Sequence, residues 1–178
     1  MLPKRLVSRA GLYAAALVAG LSFGFQQVQA VGTDSPPPST DKKKEKDKKS
    51  MIEQQRDYAK FLEGYRAARD MILAGHYEKG IAAMHALGRD THPDVANYIG
   101  YANRKLGNYD QSKFWYEAAL KSDPNHARTW SYYGMWHAEQ GNRLKAEDYL
   151  QRVKLICGTE NCTEFRQLRE VIDGKASY

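Results

Sequence analysis

Two cysteines and five histidines are the residues of this 178-residue chain with the clearest potential for chemistry. Cys157 and Cys162 are separated by four residues, which differs from the C-x-x-C spacing of dithiol redox sites and zinc-binding pairs. The sequence contains no other cysteine that would complete a metal cage. In an oxidising compartment a close pair of this kind forms a structural disulfide, and that is the pairing we expect. A redox protein that uses both thiols is a remote alternative.

The five histidines do not have the spacing of a metal site, because no two of them lie four residues apart as helical zinc ligands do. They are His76, His85, His92, His126 and His137. The sequence also lacks a glycine-rich phosphate loop and the G-x-S-x-G motif that presents a nucleophilic serine. We therefore predict that the chain is not an enzyme and needs no metal, cofactor or small-molecule substrate.

The first 30 residues have the features of a secretory signal peptide. Residues 1–11 are basic and residues 12–25 are apolar, while Val28 and Ala30 resemble the residues before a signal-peptidase site. The apolar stretch has 14 residues, fewer than the roughly 20 that a membrane-spanning helix needs. We expect cleavage near Ala30 and a periplasmic or secreted protein, with an uncleaved N-terminal anchor as the alternative.

Residues 31–50 are predicted to form a disordered linker, because three prolines at 36–38 precede a run at 41–49 made only of Lys, Asp and Glu. The whole chain has a formal net charge of +6, and about half of that excess lies in the first 30 residues. The remainder is too small for a nucleic-acid-binding surface. Contact with a membrane is expected only through the signal peptide or, weakly, through this basic linker.

From Met51 onward, apolar residues recur at the three- and four-residue intervals of helices, and short segments with Gly, Asn, His or Pro interrupt them. The pattern predicts helix pairs at 56–74 with 77–88, at 93–106 with 109–121, and at 127–140 with 143–156. A last helix is predicted at 162–173. Its apolar residues would cover the end of the preceding pair; they are Phe165, Leu168, Val171 and Ile172. The Cys157–Cys162 bond would fasten this helix to the rest of the domain.

A period of 34 residues relates the second helix pair to the third. The landmarks with this interval are Gly100 and Gly134, Gly107 and Gly141, Asn108 and Asn142, Ser112 and Ala146, and Trp115 and Tyr149. Small residues are expected where two helices cross, since a larger side chain there would push their axes apart. The predicted crossing residues are Ala68, Gly80, Gly100, Ser112, Gly134 and Ala146.

The motif Trp130-x2-Tyr133-Gly134, followed by Ala146-x3-Leu150, resembles the repeat motif of the tetratricopeptide family. The similarity extends over about residues 60–156. It implies an all-α solenoid of about three helical hairpins with a C-terminal capping helix. The expected domain covers 51–178, with repeats at about 60–92, 93–126 and 127–160 and a cap at 162–173.

In tetratricopeptide proteins the first helix of each hairpin lines a concave groove that binds a peptide or another protein. The resemblance therefore implies an exported scaffold or adaptor, in cell-envelope assembly or secretion. The groove would be lined by Tyr65, Arg69, Asp94, Asn97, Tyr98, Tyr101, Arg104, Lys105, Arg128, Ser131, Tyr132 and Met135. Its arginines and lysine outnumber its one acid, so an acidic peptide would suit it.

The two-carboxylate clamp of chaperone-binding members needs Lys and Asn where this sequence has Tyr65 and Tyr98, so a chaperone-tail ligand is not expected. An alternative of a different class is a structural subunit that self-assembles, or joins a larger envelope complex, through its convex face. Trp115 and Trp136 are the residues expected to be partly exposed on that face.

Overall fold

The computed structural model describes residues 40–176, and all regular secondary structure in that range is helical. The seven helices are α1 (Thr40–Leu73), α2 (Tyr77–Ala86), α3 (Pro93–Lys105), α4 (Tyr109–Ser122), α5 (Ala127–Glu139), α6 (Arg143–Cys157) and α7 (Thr163–Ile172). The predicted signal peptide and the triple-proline segment lie outside the described residues. The all-α prediction is confirmed.

The helices pair as three hairpins, α1 with α2, α3 with α4, and α5 with α6, each packed closely along its length. From α2 to α7 the helix ends lie within two residues of those that the apolar periodicity predicts. The 34-residue period recurs in the connections, where Gly107 and Gly141 both have a φ of 78°. Side chains with a Cβ rarely adopt this left-handed conformation, and glycine therefore allows the same tight reversal in both hairpins.

The prediction of a disordered linker is wrong over residues 40–50, because these residues form the first three turns of α1. The absence of apolar residues shows only that this segment buries nothing, and the side chains of residues 43–60 are indeed all exposed. Lys and Glu are good helix formers, so a segment rich in them extends a helix that is already nucleated downstream. Residues 51–58 are helical as well.

The small residues at the crossing positions are buried, as the packing argument requires. Ala68, Ser112 and Ala146 have no exposed surface. A methyl group added at Gly100 would lie 2.8 Å from the ring of Tyr116 on α4. This separation is well below van der Waals contact, so a larger residue at Gly100 would force α3 and α4 apart.

Two apolar clusters form the core. The first joins α1, α2 and α3 and contains Phe61, Ala68, Ile72, Met84, Val95, Tyr98, Ile99 and Ala102. The second joins α5, α6 and α7 and contains Met135, Ala146, Leu150, Val153, Phe165, Leu168 and Ile172. The rings of Tyr116 on α4 and Tyr133 on α5 lie 5.5 Å apart and continue the buried interior between the clusters.

The last helix, α7, is the predicted cap. It packs against both α5 and α6, and Phe165, Leu168 and Ile172 are buried in that contact. A methyl group at Gly134 would lie 2.6 Å from Leu168, so this glycine makes room for the cap. The predicted disulfide is present between Cys157, the last residue of α6, and Cys162, the residue before α7, with the two Cα atoms 6.3 Å apart.

The stack is tighter on the side of the first helices than on the side of the second helices. The backbone of α3 approaches those of α1 and α5, whereas within the described range α2 does not approach α4, nor α4 α6. The surface formed by α1, α3 and α5 is therefore the concave one, which we call the inner face. The surface formed by α2, α4 and α6 is the outer face. Among residues 40–176, no helix combines the length and apolarity that crossing a membrane requires.

Candidate functional site

A continuous row of tyrosine rings runs across the inner face from the first hairpin to the third. Tyr65 on α1 lies 6.0 Å from Tyr98 on α3, Tyr98 lies 6.4 Å from Tyr101, and Tyr101 lies 5.3 Å from Tyr132 on α5, measured between ring centroids. Tyr65, Tyr101 and Tyr132 are half-buried. The row thus presents ring edges and hydroxyl groups to solvent along a surface that three helices hold in place.

Burial leaves the phenols of this row neutral. It raises the pKa of Tyr132 to about 12, and it raises the pKa values of Tyr65, Tyr98 and Tyr101 as well. At physiological pH each hydroxyl therefore both donates and accepts hydrogen bonds and carries no charge. A surface of this composition suits the mixed polar and apolar contacts of a polypeptide.

Four of the residues expected in the groove are instead buried between helices. Asn97 and Met135 have no exposed surface, and Tyr98 and Arg104 are 5% and 3% exposed. Met135 is covered by the capping helix as part of the α5–α6–α7 cluster, while Asn97 accepts a hydrogen bond from Thr129 of α5 (3.1 Å). The expectation that Asn97 and Met135 contact a ligand is therefore wrong.

Ser131, which was also expected in the groove, is buried too. Its hydroxyl donates to the backbone carbonyl of Glu164 at the start of α7, at 2.8 Å. The cap thus occupies the part of α5 that would otherwise extend the inner face. The expected residues that keep exposed or half-exposed surface are Tyr65, Arg69, Asp94, Tyr101, Lys105, Arg128 and Tyr132. We call these seven residues the tyrosine groove.

The arginines of the inner face already have carboxylate partners. Arg69 contacts the neighbouring Asp70 at 2.8 Å, and Arg128 donates to Asp94 at 3.0 Å. Arg104 lies 3.6 Å from Glu139 and donates to the backbone carbonyl of Tyr132 at 3.0 Å. The guanidinium of Arg128 also lies 5.9 Å from the ring of Tyr98. The groove is therefore less cationic than the count of its arginines predicts.

A chain of polar groups joins the start of α3 to the start of α5. One ring nitrogen of His126 lies 3.3 Å from the Asp94 carboxylate, and the other lies 2.6 Å from the hydroxyl of Thr129. The hydrogen bond from His126 lowers the pKa of Asp94, and Arg128 favours the same charged form against the opposing effect of burial. Asp94 is therefore an ionised centre that holds the second and third hairpins together.

Sequence reasoning left out His126, Thr129 and Glu139, although the repeat period contains a signal for such contacts. Residues at the same position of successive repeats lie side by side on neighbouring first helices. Asp94 and Arg128 are 34 residues apart, so their opposite charges meet. A carboxylate and a guanidinium at equal repeat positions predict an ion pair across the interface.

The two tryptophans expected on the outer face, Trp115 and Trp136, are both half-buried. Trp115 contacts His85 of α2, with ring centroids 5.3 Å apart, and Trp136 donates to the backbone carbonyl of Tyr109 at 3.2 Å. The more exposed outer-face residues are Phe114, Leu144 and Leu155, at 58%, 78% and 74%.

The cysteines offer a ligand set for a metal only on paper. Potential ligand atoms of Cys157, Cys162 and Glu164 lie within 4.8 Å of one another. Both sulfurs are bonded to each other, and no cysteine of the chain is free. A bonded disulfide lacks the thiolates that bind zinc, so these three residues do not form a metal site in this structure.

The sequence of the second hairpin decides the family. Residues 93–126 match the tetratricopeptide repeat model. This hairpin is a tetratricopeptide repeat. The match covers α3, α4 and the turn that leads to α5, and the resemblance inferred from the 34-residue period is thereby confirmed. The chain is an α-solenoid of three such hairpins with a capping helix. No curated protein matches it by sequence.

Solved structures with a similar fold include two forms of the type III secretion translocator chaperone SycD of Yersinia enterocolitica. One, described as an alternative dimer, has a TM-score of 0.55 and 20% identity, and the match covers 65% of this chain and 87% of that one. The other contains a peptide of the translocator YopD and has a TM-score of 0.54 and 18% identity, with 66% and 89% covered. At these identities the similarity shows a shared fold.

The first tetratricopeptide domain of Spaghetti (RPAP3), bound to the HSP90 peptide SRMEEVD, is similar in fold as well. Its TM-score is 0.54 at 18% identity, and the match covers 67% of this chain and 95% of that one. Two of these three structures thus hold a peptide, and the neighbours are a chaperone and a peptide-bound repeat domain.

Proposed function

We propose that this protein is an exported, non-catalytic scaffold that binds a segment of a partner protein in its tyrosine groove. The row formed by Tyr65, Tyr98, Tyr101 and Tyr132 carries this proposal, because it extends across all three hairpins on the concave side. Tyrosine combines a large contact area with a low conformational-entropy cost, and it is enriched where binding energy concentrates. Peptide-bound neighbours of the same fold support the choice of ligand.

The cellular role that we propose is in cell-envelope assembly or secretion. It rests on the sequence of residues 1–30, whose basic, apolar and polar parts follow the order of a signal peptide. The disulfide between Cys157 and Cys162 supports export, because such bonds persist in oxidising compartments. The mass of the protein recovered from the periplasm or medium tests this part. Cleavage after Ala30 is the expected result, and an intact N-terminus in the cytoplasm contradicts it.

Partner capture tests the groove itself. In the full-length protein, Tyr101→Ala, Arg128→Ala and Tyr132→Ala are combined, and polypeptides that co-purify after crosslinking in the producing cell are compared with those of the unmodified chain. We expect the groove variant to lose its captured polypeptides, because three half-buried contact residues are removed together.

The matched control for this experiment combines Lys121→Ala, Phe114→Ala and Leu144→Ala on the outer face, where these side chains are exposed. It should retain the partners. Thermal unfolding of both variants shows whether either has lost the fold. An unchanged set of captured polypeptides in a folded groove variant would contradict the proposed site.

A second candidate function is self-assembly, or docking into a larger complex, through the outer face. The observation that favours it is the exposure of Phe114, Leu144 and Leu155. Phe114 borders a shallow cleft of about 520 Å³ that Trp115 and Ala118 also line. Sedimentation of the mature chain over a hundredfold concentration range separates the two functions, since a monomer at every concentration disfavours self-assembly.

A further inference from the structure

The first half of α1 extends beyond the folded body without a partner. We call residues 43–60 the α1 extension; all of their side chains are exposed. Phe61 is the first buried residue of α1, and α2, with ten residues, pairs only with the later part of the helix. At 1.5 Å per residue the part of α1 before Phe61 projects about 30 Å.

The extension carries most of the unpaired positive charge among the described residues of α1. It contains seven basic side chains and four acidic ones. None of them makes a hydrogen bond or an ion pair with another described residue. The tyrosine groove differs, because Arg69 and Arg128 are each bonded to a carboxylate. The cations available to a partner are therefore on the extension rather than in the groove.

The extension is also continuous with the tyrosine groove. Tyr58, which is 52% exposed, lies 6.1 Å from Phe61, and Phe61 lies 6.1 Å from Tyr65, measured between ring centroids. Tyr65 is the first ring of the groove. The residues Met51, Tyr58 and Tyr65 are seven apart and share one side of the helix. A polypeptide in the groove therefore meets an aromatic and then a basic surface along α1.

We infer that the α1 extension is the second half of the partner site and binds an acidic segment of the polypeptide whose other part lies in the tyrosine groove. This inference rests on the proposed function. Charge complementarity favours an acidic partner, which would pair with the lysines and Arg56. It would also stabilise the helix, since an unpartnered helix of about 20 residues is marginally stable in water.

Other occupants fit the extension less well. A second copy would bring together two extensions of the same net charge. A membrane-surface helix needs its apolar residues on one face, whereas Met51 and Ile52 are adjacent in sequence and point about 100° apart. Nucleic acid presents a phosphate at every nucleotide, and Glu45, Asp47, Glu53 and Asp57 would repel it.

Two synthetic peptides test the inference with the full-length chain. Both share a first half of Tyr, Leu, Pro and Ser, and the second half carries Glu at alternate positions in one peptide and Gln in the other. Fluorescence anisotropy gives the two dissociation constants. We expect the Glu peptide to bind about tenfold more tightly at low salt, as several exposed ion pairs together would give. The ratio should fall toward one at high salt.

The combined variant Lys48→Glu, Lys49→Glu and Arg56→Glu should abolish the preference for the Glu peptide. Glu is a good helix former, so α1 is retained, and circular dichroism verifies this. The matched control, Lys79→Glu, Lys113→Glu and Lys121→Glu, changes the net charge equally on α2 and α4 and should keep the preference. Amide hydrogen exchange of the extension should slow when the Glu peptide binds.

The inference is overturned if the extension variant keeps the tenfold preference, or if both variants lose it equally. Binding of neither peptide overturns it too, since seven unpaired cations would attract any segment rich in Glu. Vesicles of phosphatidylglycerol and phosphatidylcholine provide the remaining arm. If they bind through the extension while the peptides show no preference, the occupant is a membrane.

The groove is tested separately in the same assay. Tyr101→Ala with Tyr132→Ala should weaken binding of both peptides by the same factor and leave their ratio unchanged. If the ratio depends on the extension but neither peptide is affected by the tyrosine variant, the proposed groove fails and the extension site stands. If the tyrosine variant weakens both peptides and the ratio is one, only the extension site fails.

Discussion

The two ends of the repeat stack are built in opposite ways. At the C-terminal end, α7 covers the apolar surface of α5 and α6, and a disulfide fixes its start to the end of α6. At the N-terminal end, α1 continues past its partner helix and exposes the side chains of residues 43–60. The closed end needs no further contact, whereas the open end presents charges and apolar side chains that only another molecule can satisfy. The difference indicates the direction from which a partner approaches.

The strongest test of the closed end is Leu168→Ala. Leu168 has no exposed surface and packs over Gly134, so its truncation leaves a cavity and should lower the free energy of unfolding by about 2–5 kcal/mol. Urea unfolding monitored by circular dichroism measures the change. Leu155→Ala, at a position that is 74% exposed, is the control and should change stability by less than about 0.5 kcal/mol. Equal effects would mean that α7 does not cap the stack.

The disulfide should contribute a smaller share of the same closed end. Replacing Cys157 and Cys162 together by Ser should cost about 2 kcal/mol, because the bond closes a short loop. The melting temperature of the unmodified protein should fall to that of the variant when a reductant is added, and the variant should not respond to it. A variant as stable as the oxidised protein would show that packing alone holds α7 in place.

The junction between the second and third hairpins is polar where the cap is apolar, so pH should distinguish them. The lowered pKa of Asp94 means that its stabilising charge is fully present above the unfolded pKa of about 3.9 and is lost as pH falls through the folded value. Asp94→Asn should cost less than about 1 kcal/mol at pH 7, since the carboxylate and Arg128 are both about one-third exposed. Denaturation at pH 7 and pH 3 measures this.

The cost of Asp94→Asn should shrink toward pH 3, where the unmodified protein has also lost the charge. Leu168→Ala serves as the reference, because the cost of an apolar cavity should be the same at both pH values. A cost of Asp94→Asn that is constant or increases toward acid would contradict the proposed ion pair.

The smallest effect is expected at the open end. Met51→Ala combined with Ile52→Ala should change the free energy of unfolding by less than about 0.5 kcal/mol, because both side chains are exposed and contact no other helix. Phe61→Ala, ten residues further along α1 at a buried position, is the matched comparison and should destabilise by about 3–5 kcal/mol. A large loss from the first variant would show that the extension packs against the body.

The architecture could be predicted from the sequence because it depends on spacing. The 34-residue interval between Gly100 and Gly134, and between Gly107 and Gly141, fixes where helices cross and where they reverse. The helical extension of α1 could not be predicted in this way. Apolar periodicity detects helices that bury one face, and residues 43–60 bury none. Their high content of Lys and Glu, read as helix propensity, was the signal available.

The site could be predicted only in part, for a related reason. The half-exposed tyrosines were found, because their repeat positions place them on the inner face. Burial of Asn97 and Met135 depends on Thr129 and on α7, which lie outside the repeat containing each of them. The partners of the arginines also come from neighbouring turns or repeats, and a count of charges within one helix does not reveal them.

The capping helix has a consequence for how this protein can change in length. α7 occupies the surface on which the first helix of a fourth repeat would stack, and the disulfide fixes it there. Duplication of the 34-residue unit after Cys157 would leave the new hairpin nowhere to dock. A longer array must therefore arise by internal insertion, for instance in the turn between Ser122 and Ala127, where each new copy meets a repeat surface on both sides.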